Sequence, residues 1–265
     1  MIVALDLGNT RIKWAVHPGG AVAGGMLADG AVDPGDVDTL PHCWSAWGQP
    51  DEIAVCSVAG SAADAAIERL AGRLALPLWR VQPSARAAGV CNLYGTPASL
   101  GADRWAALAG ARARSLAATL VVDAGTAMTV DALAADGRFL GGLIVPGYDL
   151  MRASLARGTA RLPVATGRFD PFPRSTDDAI VSGALQAMAG AVARTRDAMH
   201  AAGESAPQLM LTGGCAPLLL PLLDAFAPLH VPSLVLEGVL VLAHEARMAA
   251  SSRRGTPAHA RGGAR

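Results

Sequence analysis

Residues 2–13 read IVALDLGNTRIK and residues 120–131 read LVVDAGTAMTVD. In the first stretch the apolar run Ile2–Leu5 closes on Asp6, Gly8-Asn9-Thr10 supplies turn residues, and Ile12–Val16 resumes the apolar pattern. In the second, Leu120–Val122 closes on Asp123-Ala124-Gly125-Thr126 and Met128–Leu133 resumes it. Short apolar runs bounded by turn residues read as strand, tight turn, strand. One Asp-x-Gly triplet is common by chance. Two copies with matching flanks argue for a duplicated α/β domain with a cleft between the copies.

Outward from these hairpins, Ile53–Val58 and Leu78–Val81 read as strands flanking a helix over Ala62–Leu74. Pro97–Ala118 is alanine-rich and suits a helix. Asp136-Gly137 is a hairpin signal leading into Phe139–Val145. Helices are expected over Tyr148–Ala156 and Asp177–Ala202, a strand over Leu209–Leu211 running into Thr212-Gly213-Gly214 and a helix, and a last helix over Ser233–Ala249. The division that follows is an N-terminal half over 1–118, a C-terminal half over 119–250 and a disordered basic tail over 251–265.

Composition narrows the function classes. Of 265 residues, 52% are hydrophobic and 17% charged, against about 25% charged in an average soluble domain. Such a chain buries a large core, which excludes disorder for most of it. Basic and acidic residues cancel at 22 each, yet Arg253, Arg254, Arg261 and Arg265 stand in the tail without an acid. The first 250 residues therefore carry 18 basic against 22 acidic residues, the opposite of the basic surplus of a nucleic-acid binder. A membrane span is not expected: the most apolar region, Ala216–Ala243, is broken by four prolines, Asp224 and Glu237. The opening run reads as a buried strand rather than a signal peptide. Cys43, Cys56, Cys91 and Cys215 form no CxxC pair, so reduced thiols and a cytoplasmic location are the simplest reading.

Four segments carry potential chemistry. In DLGNTRIK, backbone N–H groups of the turn can approach a phosphate, Asp6 can hold Mg²⁺ through water, and Lys13 can place a mobile ammonium on the phosphate chain. Lys13 is the only lysine among 22 basic residues. In DAGTAMT, Asp123 is available to a cation and Thr126 to a phosphate oxygen; the LTGG of Leu211–Gly214 lets a base or ribose lie against backbone at a helix N-terminus. In GADRW, Asp103 near a helix start can accept a proton from a substrate hydroxyl during phosphoryl transfer, and Arg104 can pair with a substrate carboxylate or phosphate. Each segment alone has a plainer reading: a hairpin whose Asp satisfies its own turn, a glycine-rich connection, an acid that merely stabilises a first helical turn.

Taken in order, DLGNTRIK, NLYGTPASLGADRW, VVDAGTAMTVD, GGLIVPG, STDDAIVSG and LTGG closely resemble type III pantothenate kinase. The resemblance runs from Met1 to the final helix; residues 29–50 and the tail carry no matching motif. It implies duplicated ribonuclease-H-like domains of the actin-like ATPase kind with a nucleotide cleft between them, and ATP-dependent phosphorylation of pantothenate to 4'-phosphopantothenate, the first step of coenzyme A biosynthesis. It assigns Asp6, Leu7, Gly8, Asn9, Thr10, Arg11, Ile12 and Lys13, with Thr126, to ATP. It assigns Tyr94, Gly101, Ala102, Asp103, Arg104 and Thr176 to pantothenate, with Asp103 as proton acceptor, and Asp123 to a monovalent cation, K⁺ or NH₄⁺. A homodimer with the pantothenate pocket at or near the subunit interface is implied as well. The competing readings are a nucleotide-binding accessory protein without turnover, and a sugar or short-chain acid kinase of the same superfamily. The first is disfavoured by the complete acid set Asp6, Asp103 and Asp123, the second by the NLYG…GADRW region.

Overall fold

Strand β1 (Ile2–Leu7) buries all six of its residues, because it is covered on both faces; such strands read as unbroken apolar runs rather than alternating ones. A computed structural model describes residues 1–19, 25–158 and 165–254. Beside β1 lie β2 (Ile12–His17), β3 (Ala28–Val32), β4 (Glu52–Ser57) and β5 (Leu78–Arg80) in the order β3-β2-β1-β4-β5. The pairs β1–β2 and β2–β3 are antiparallel, whereas β1–β4 and β4–β5 are parallel.

The second sheet holds β6 (Arg86–Ala87), β7 (Val90–Asn92), β8 (Thr119–Ala124), β9 (Ala127–Leu133), β10 (Arg138–Pro146), β11 (Gln208–Thr212) and β12 (Leu229–His230). Its order is β12-β11-β8-β9-β10-β7-β6. Within it, β10-β9-β8-β11-β12 repeats the first sheet strand for strand, antiparallel across β8–β9 and β9–β10 and parallel across β8–β11 and β11–β12. The duplication inferred from the two Asp-x-Gly hairpins is therefore a duplication of topology. Asp6 and Asp123 each occupy the fifth position of a six-residue first strand.

Helices α1 (Leu40–Trp44) and α2 (Ser61–Arg73) pack outside the first sheet against Val3, Leu5 and Leu7. Helices α4 (Tyr148–Gly158), α5 (Thr176–Ala201) and α6 (Ala216–Leu219) cover the outer face of the second, where Leu120, Val122 and Val130 meet Ile180, Leu185 and Met188. Between the sheets lie α3 (Ala102–Arg114) and α7 (Leu234–Arg254). Their side chains share one core with Ala4, Ala54 and Cys56 of the first sheet and Val121, Leu133 and Phe139 of the second. By strand alternation, Asp6 lies on the face of Ile2 and Ala4, and Asp123 on that of Val121. Both point towards the middle layer.

Several elements differ from the sequence expectation. The helix expected over Pro97–Ala118 is a 3₁₀ turn at Pro97–Ser99 followed by α3, because Leu100 and Gly101 are extended and Ser115 leaves the helix. Asp103 thereby falls in the first turn of α3. The last helix continues to Arg254, four residues into the expected tail; residues 255–265, with Arg261 and Arg265, lie outside the described residues. Strands β3, β6, β7 and β12 and helix α1 had no counterpart in the sequence reading, being short and poor in β-branched or periodic residues.

Helices α3 and α7 touch backbone to backbone. A Cβ on Gly110 would stand 2.5 Å from the Leu234 carbonyl oxygen, and one on Gly238 would fall on the Ala106 carbonyl. Arg114 ties the far end of α3 to α7 through Glu237, at 2.5 and 2.7 Å. Overpacking a filled interior typically costs about 1–3 kcal/mol, and here the obstruction is backbone that cannot swing aside. Gly238→Ala is expected to lower the unfolding free energy by at least about 2 kcal/mol, read as a drop of several degrees in thermal midpoint; an unchanged midpoint contradicts the contact.

Candidate active site

The two hairpins meet at their tips. Thr10 Oγ1, in the turn between β1 and β2, lies 2.8 Å from Thr126 Oγ1, in the turn between β8 and β9. The first turn closes where the Gly8 N–H donates to the Arg11 carbonyl at 3.1 Å. Asn9, Thr10 and Arg11 are exposed, whereas Leu7 and Ile12 are wholly buried in the outer core, so only their backbone can face a ligand. Lys13 stands opposite Asp6 in the β1–β2 register, which puts ammonium and carboxylate on one face. The equivalent partner of Asp123 is Thr129.

The second hairpin is braced from two sides. The Gly147 N–H donates to the Thr126 carbonyl at 3.0 Å, and the Cys215 N–H to the Ala124 carbonyl at 2.9 Å. Gly213, at φ +92°, lies so close to Asp123 and Ala124 that a side chain there would displace the Asp123 carboxylate. That is what Gly213 of LTGG does: it lets the end of β11 bring backbone against the second turn.

Burial pushes Asp6 up to about 7; Asp123 and Asp103 push the same way and Lys13 opposes. Asp123 rises to about 6, again chiefly by desolvation, with Lys13 opposing and Asp103 and Asp131 adding. The Cys56 thiol, beside Asp6 in the β1–β4 register, is driven well up by burial first and these carboxylates second. Asp103 therefore acts on both buried carboxylates, and Lys13 opposes the rise in each. Among the described residues no group of three or more His, Cys, Asp or Glu side chains forms a metal cage. Mg²⁺ typically keeps several waters and takes one or two carboxylates plus substrate phosphates, and Asp6 fits that use. Asp123 offers a second carboxylate, which the missing side chain of Gly213 leaves in place.

At the start of α3, Gly101 is the N-cap residue and Ala102 opens the helix. Asp103 Oδ1 accepts the Arg104 N–H at 2.8 Å. Arg104 is buried: Nε lies 3.1 Å from both Asp131 carboxylate oxygens, Nη2 also pairs with Asp131, and Nη1 donates to the Tyr94 hydroxyl at 2.9 Å. Tyr94 stacks on Phe139 with centroids 5.5 Å apart, and its N–H donates to Asn92 Oδ1 at 3.1 Å. Tyr94, Asp103 and Arg104 are therefore brought together. Thr176 is not: it begins α5 on the outer face of the second sheet and is exposed, and among the described residues no hydrogen bond joins it to them. Asp131 was missed from sequence. A lone acid in the apolar run of β9 was its one signal, and its partner is 27 residues away.

The fold is a duplicated α/β fold in which two equivalent hairpins meet beside the start of α3. The sequence profile of type III pantothenate kinase matches residues 2–198. A type III pantothenate kinase of Aromatoleum aromaticum is 48% identical over 248 residues, 92% of this chain and 98% of that one. One from Dechloromonas aromatica is 47% identical over 216 residues, 82% and 88% of the two chains. The chain belongs to the type III pantothenate kinase family. Among solved structures, the activator of 2-hydroxyisocaproyl-CoA dehydratase from Clostridium difficile with bound ADPNP superposes at a TM-score of 0.54 and 11% identity, over 96% of this chain and 97% of that one; that likeness is one of fold.

The raised Asp6 and Asp123 carboxylates set a pH dependence. Groups whose folded pKa exceeds the unfolded value contribute stability that is complete below about pH 4 and is lost as pH rises through about 6–7. The nucleotide-free protein is expected to lose thermal stability between pH 5 and pH 7.5 from these groups. Asp6→Asn is expected to gain at least about 1 kcal/mol at pH 7.5 and to flatten that slope. Parallel pH profiles for the two proteins contradict the assignment.

Proposed function

We propose that the cleft transfers the γ-phosphoryl group of ATP to the primary hydroxyl of pantothenate, with each half, 1–118 and 119–250, contributing one phosphate hairpin. The observation that carries this reading is the meeting of the two hairpin tips at Thr10 and Thr126 beside the acid at the start of α3. The backbone of Asp6–Lys13 and the Thr126 hydroxyl hold the phosphate chain, and Lys13 offsets charge on it. Asp103 accepts the hydroxyl proton, and Tyr94, Gly101, Ala102 and Arg104 bind pantothenate, Arg104 through the carboxylate. Asp6 would hold Mg²⁺ through water and Asp123 a monovalent cation, K⁺ or NH₄⁺. Mg²⁺, when bound, neutralises charge on the transferring phosphoryl group. Positioning and electrostatics supply most of the acceleration in such transfers.

A homodimer is part of the same reading. Thr176 lies away from Asp103 within one chain, and a second copy is the simplest way to bring it to pantothenate. Leu143 and Ile144 on β10, Leu155 on α4, and Phe169 and Phe172 ahead of α5 are exposed apolar side chains of the sort a partner subunit covers. Four free cysteines fit the reducing cytoplasm, and no helix among the described residues is long and apolar enough to cross a membrane.

The test is ADP release with pantothenate, with and without K⁺. Pantothenate-dependent release that K⁺ or NH₄⁺ stimulates is expected; no release in any monovalent cation leaves the accessory-protein reading. Asp103→Asn is expected to lower turnover at least about a hundredfold, and near-normal turnover removes Asp103 from the role of base.

A further inference from the structure

We propose that Asp131 is a positioning residue for substrate selection: it locks the Arg104 guanidinium so that two N–H groups stay aimed at the carboxylate of pantothenate. The proposal rests on the kinase reading above and adds a residue to it. Arginine has five N–H donors in a rigid plane. Nε–H and one Nη2 proton go to Asp131, and one Nη1 proton to the Tyr94 hydroxyl at 2.9 Å. Two donors remain, one on each terminal nitrogen, and a pair of N–H groups is what arginine offers a carboxylate.

The lock is built on several sides. Asp131 is 1% exposed and Arg104 5%, so the pair is little screened by solvent. Phe139 and Tyr94 lie with ring centroids 5.7 and 5.8 Å from the guanidinium carbon, and they stack on each other. A free arginine would lose much side-chain entropy on gripping a ligand; here that ordering is complete before substrate arrives. Two effects of Asp131 oppose one another. Its charge offsets that of Arg104 and weakens long-range attraction of an anion, while its geometry fixes the fork. The proposal is that geometry dominates, so that recognition depends on the shape of the carboxylate more than on net charge.

The test compares wild type, Asp131→Asn, Arg104→Gln and the double variant, with pantothenate and with pantothenyl alcohol, which carries CH₂OH in place of the carboxylate. Both single variants are expected to raise the KM for pantothenate at least about tenfold, with a smaller fall in kcat and an unmoved KM for ATP. The double variant is expected to be no worse than the poorer single one, because Asp131 acts through Arg104. The preference for pantothenate over the alcohol should shrink at least threefold in Asp131→Asn. A pantothenate KM that stays or falls, effects that multiply in the double variant, or an equal rise for ATP overturns the proposal. If Asp131→Asn does not fold, Asp131→Glu reads the same lock, since it keeps the charge and moves the fork: a threefold or larger rise in pantothenate KM is expected, and no rise contradicts the lock. Absence of pantothenate turnover in wild type would instead sink the kinase reading itself.

Discussion

Carboxylates from two equivalent strands share one cleft, and the rest of the structure is arranged around that charge. Asp6 and Asp123 occupy matching positions of matching strands, so the duplication that builds the fold also sets like charges within electrostatic reach. In a desolvated cleft such a pair is costly unless protonated or countered. Burial raises both groups, neighbouring carboxylates add to it, and Lys13, opposite Asp6 on β2, is the compensating side chain the register provides. The symmetry breaks at that position. The first hairpin carries a lysine and the second carries Thr129, so Asp123 has no charged partner in its own hairpin register.

The middle layer converts this arrangement into a site. Helix α3 begins at the cleft with Asp103 and Arg104 and runs back between the sheets, where Gly110 and Gly238 let it lie directly on α7. Its first turn is fixed again by the Arg104–Asp131 pair. A buried ion pair is weak evidence for stability, because desolvation takes back much of the attraction. Its presence here is better explained by orientation: it ties the helix that carries the acid to the strand following the second phosphate turn.

Much of this was legible in the sequence, and the limits have physical causes. The two hairpins could be read because a strand buried on both faces is a continuous apolar run, and an acid ending such a run stands out. The repeated strand order confirmed the duplication that those runs implied. Strands β3, β6, β7 and β12 escaped because strands of two to five residues at or next to a sheet edge are specified by their neighbours rather than by their own composition. The start of α3 was misplaced by five residues because alanine richness marks helix propensity and not the cap; Gly101 marked the boundary. Asp131 was invisible for a different reason. What makes it part of the site is a contact with Arg104 across two elements, and single-sequence patterns do not encode such pairings. The packing of α7 on the first sheet was illegible on the same ground.

The central claim is that Asp6 is a strained, half-titrated carboxylate near neutral pH until positive charge arrives. A ¹³C carboxylate NMR titration of Asp6, assigned through Asp6→Asn, tests it directly. The account predicts a midpoint near 7 in the nucleotide-free protein, falling by more than about one unit when Mg²⁺·ADP binds, since nearby positive charge favours the ionised form. A midpoint near 4 that does not respond to Mg²⁺·ADP would contradict it.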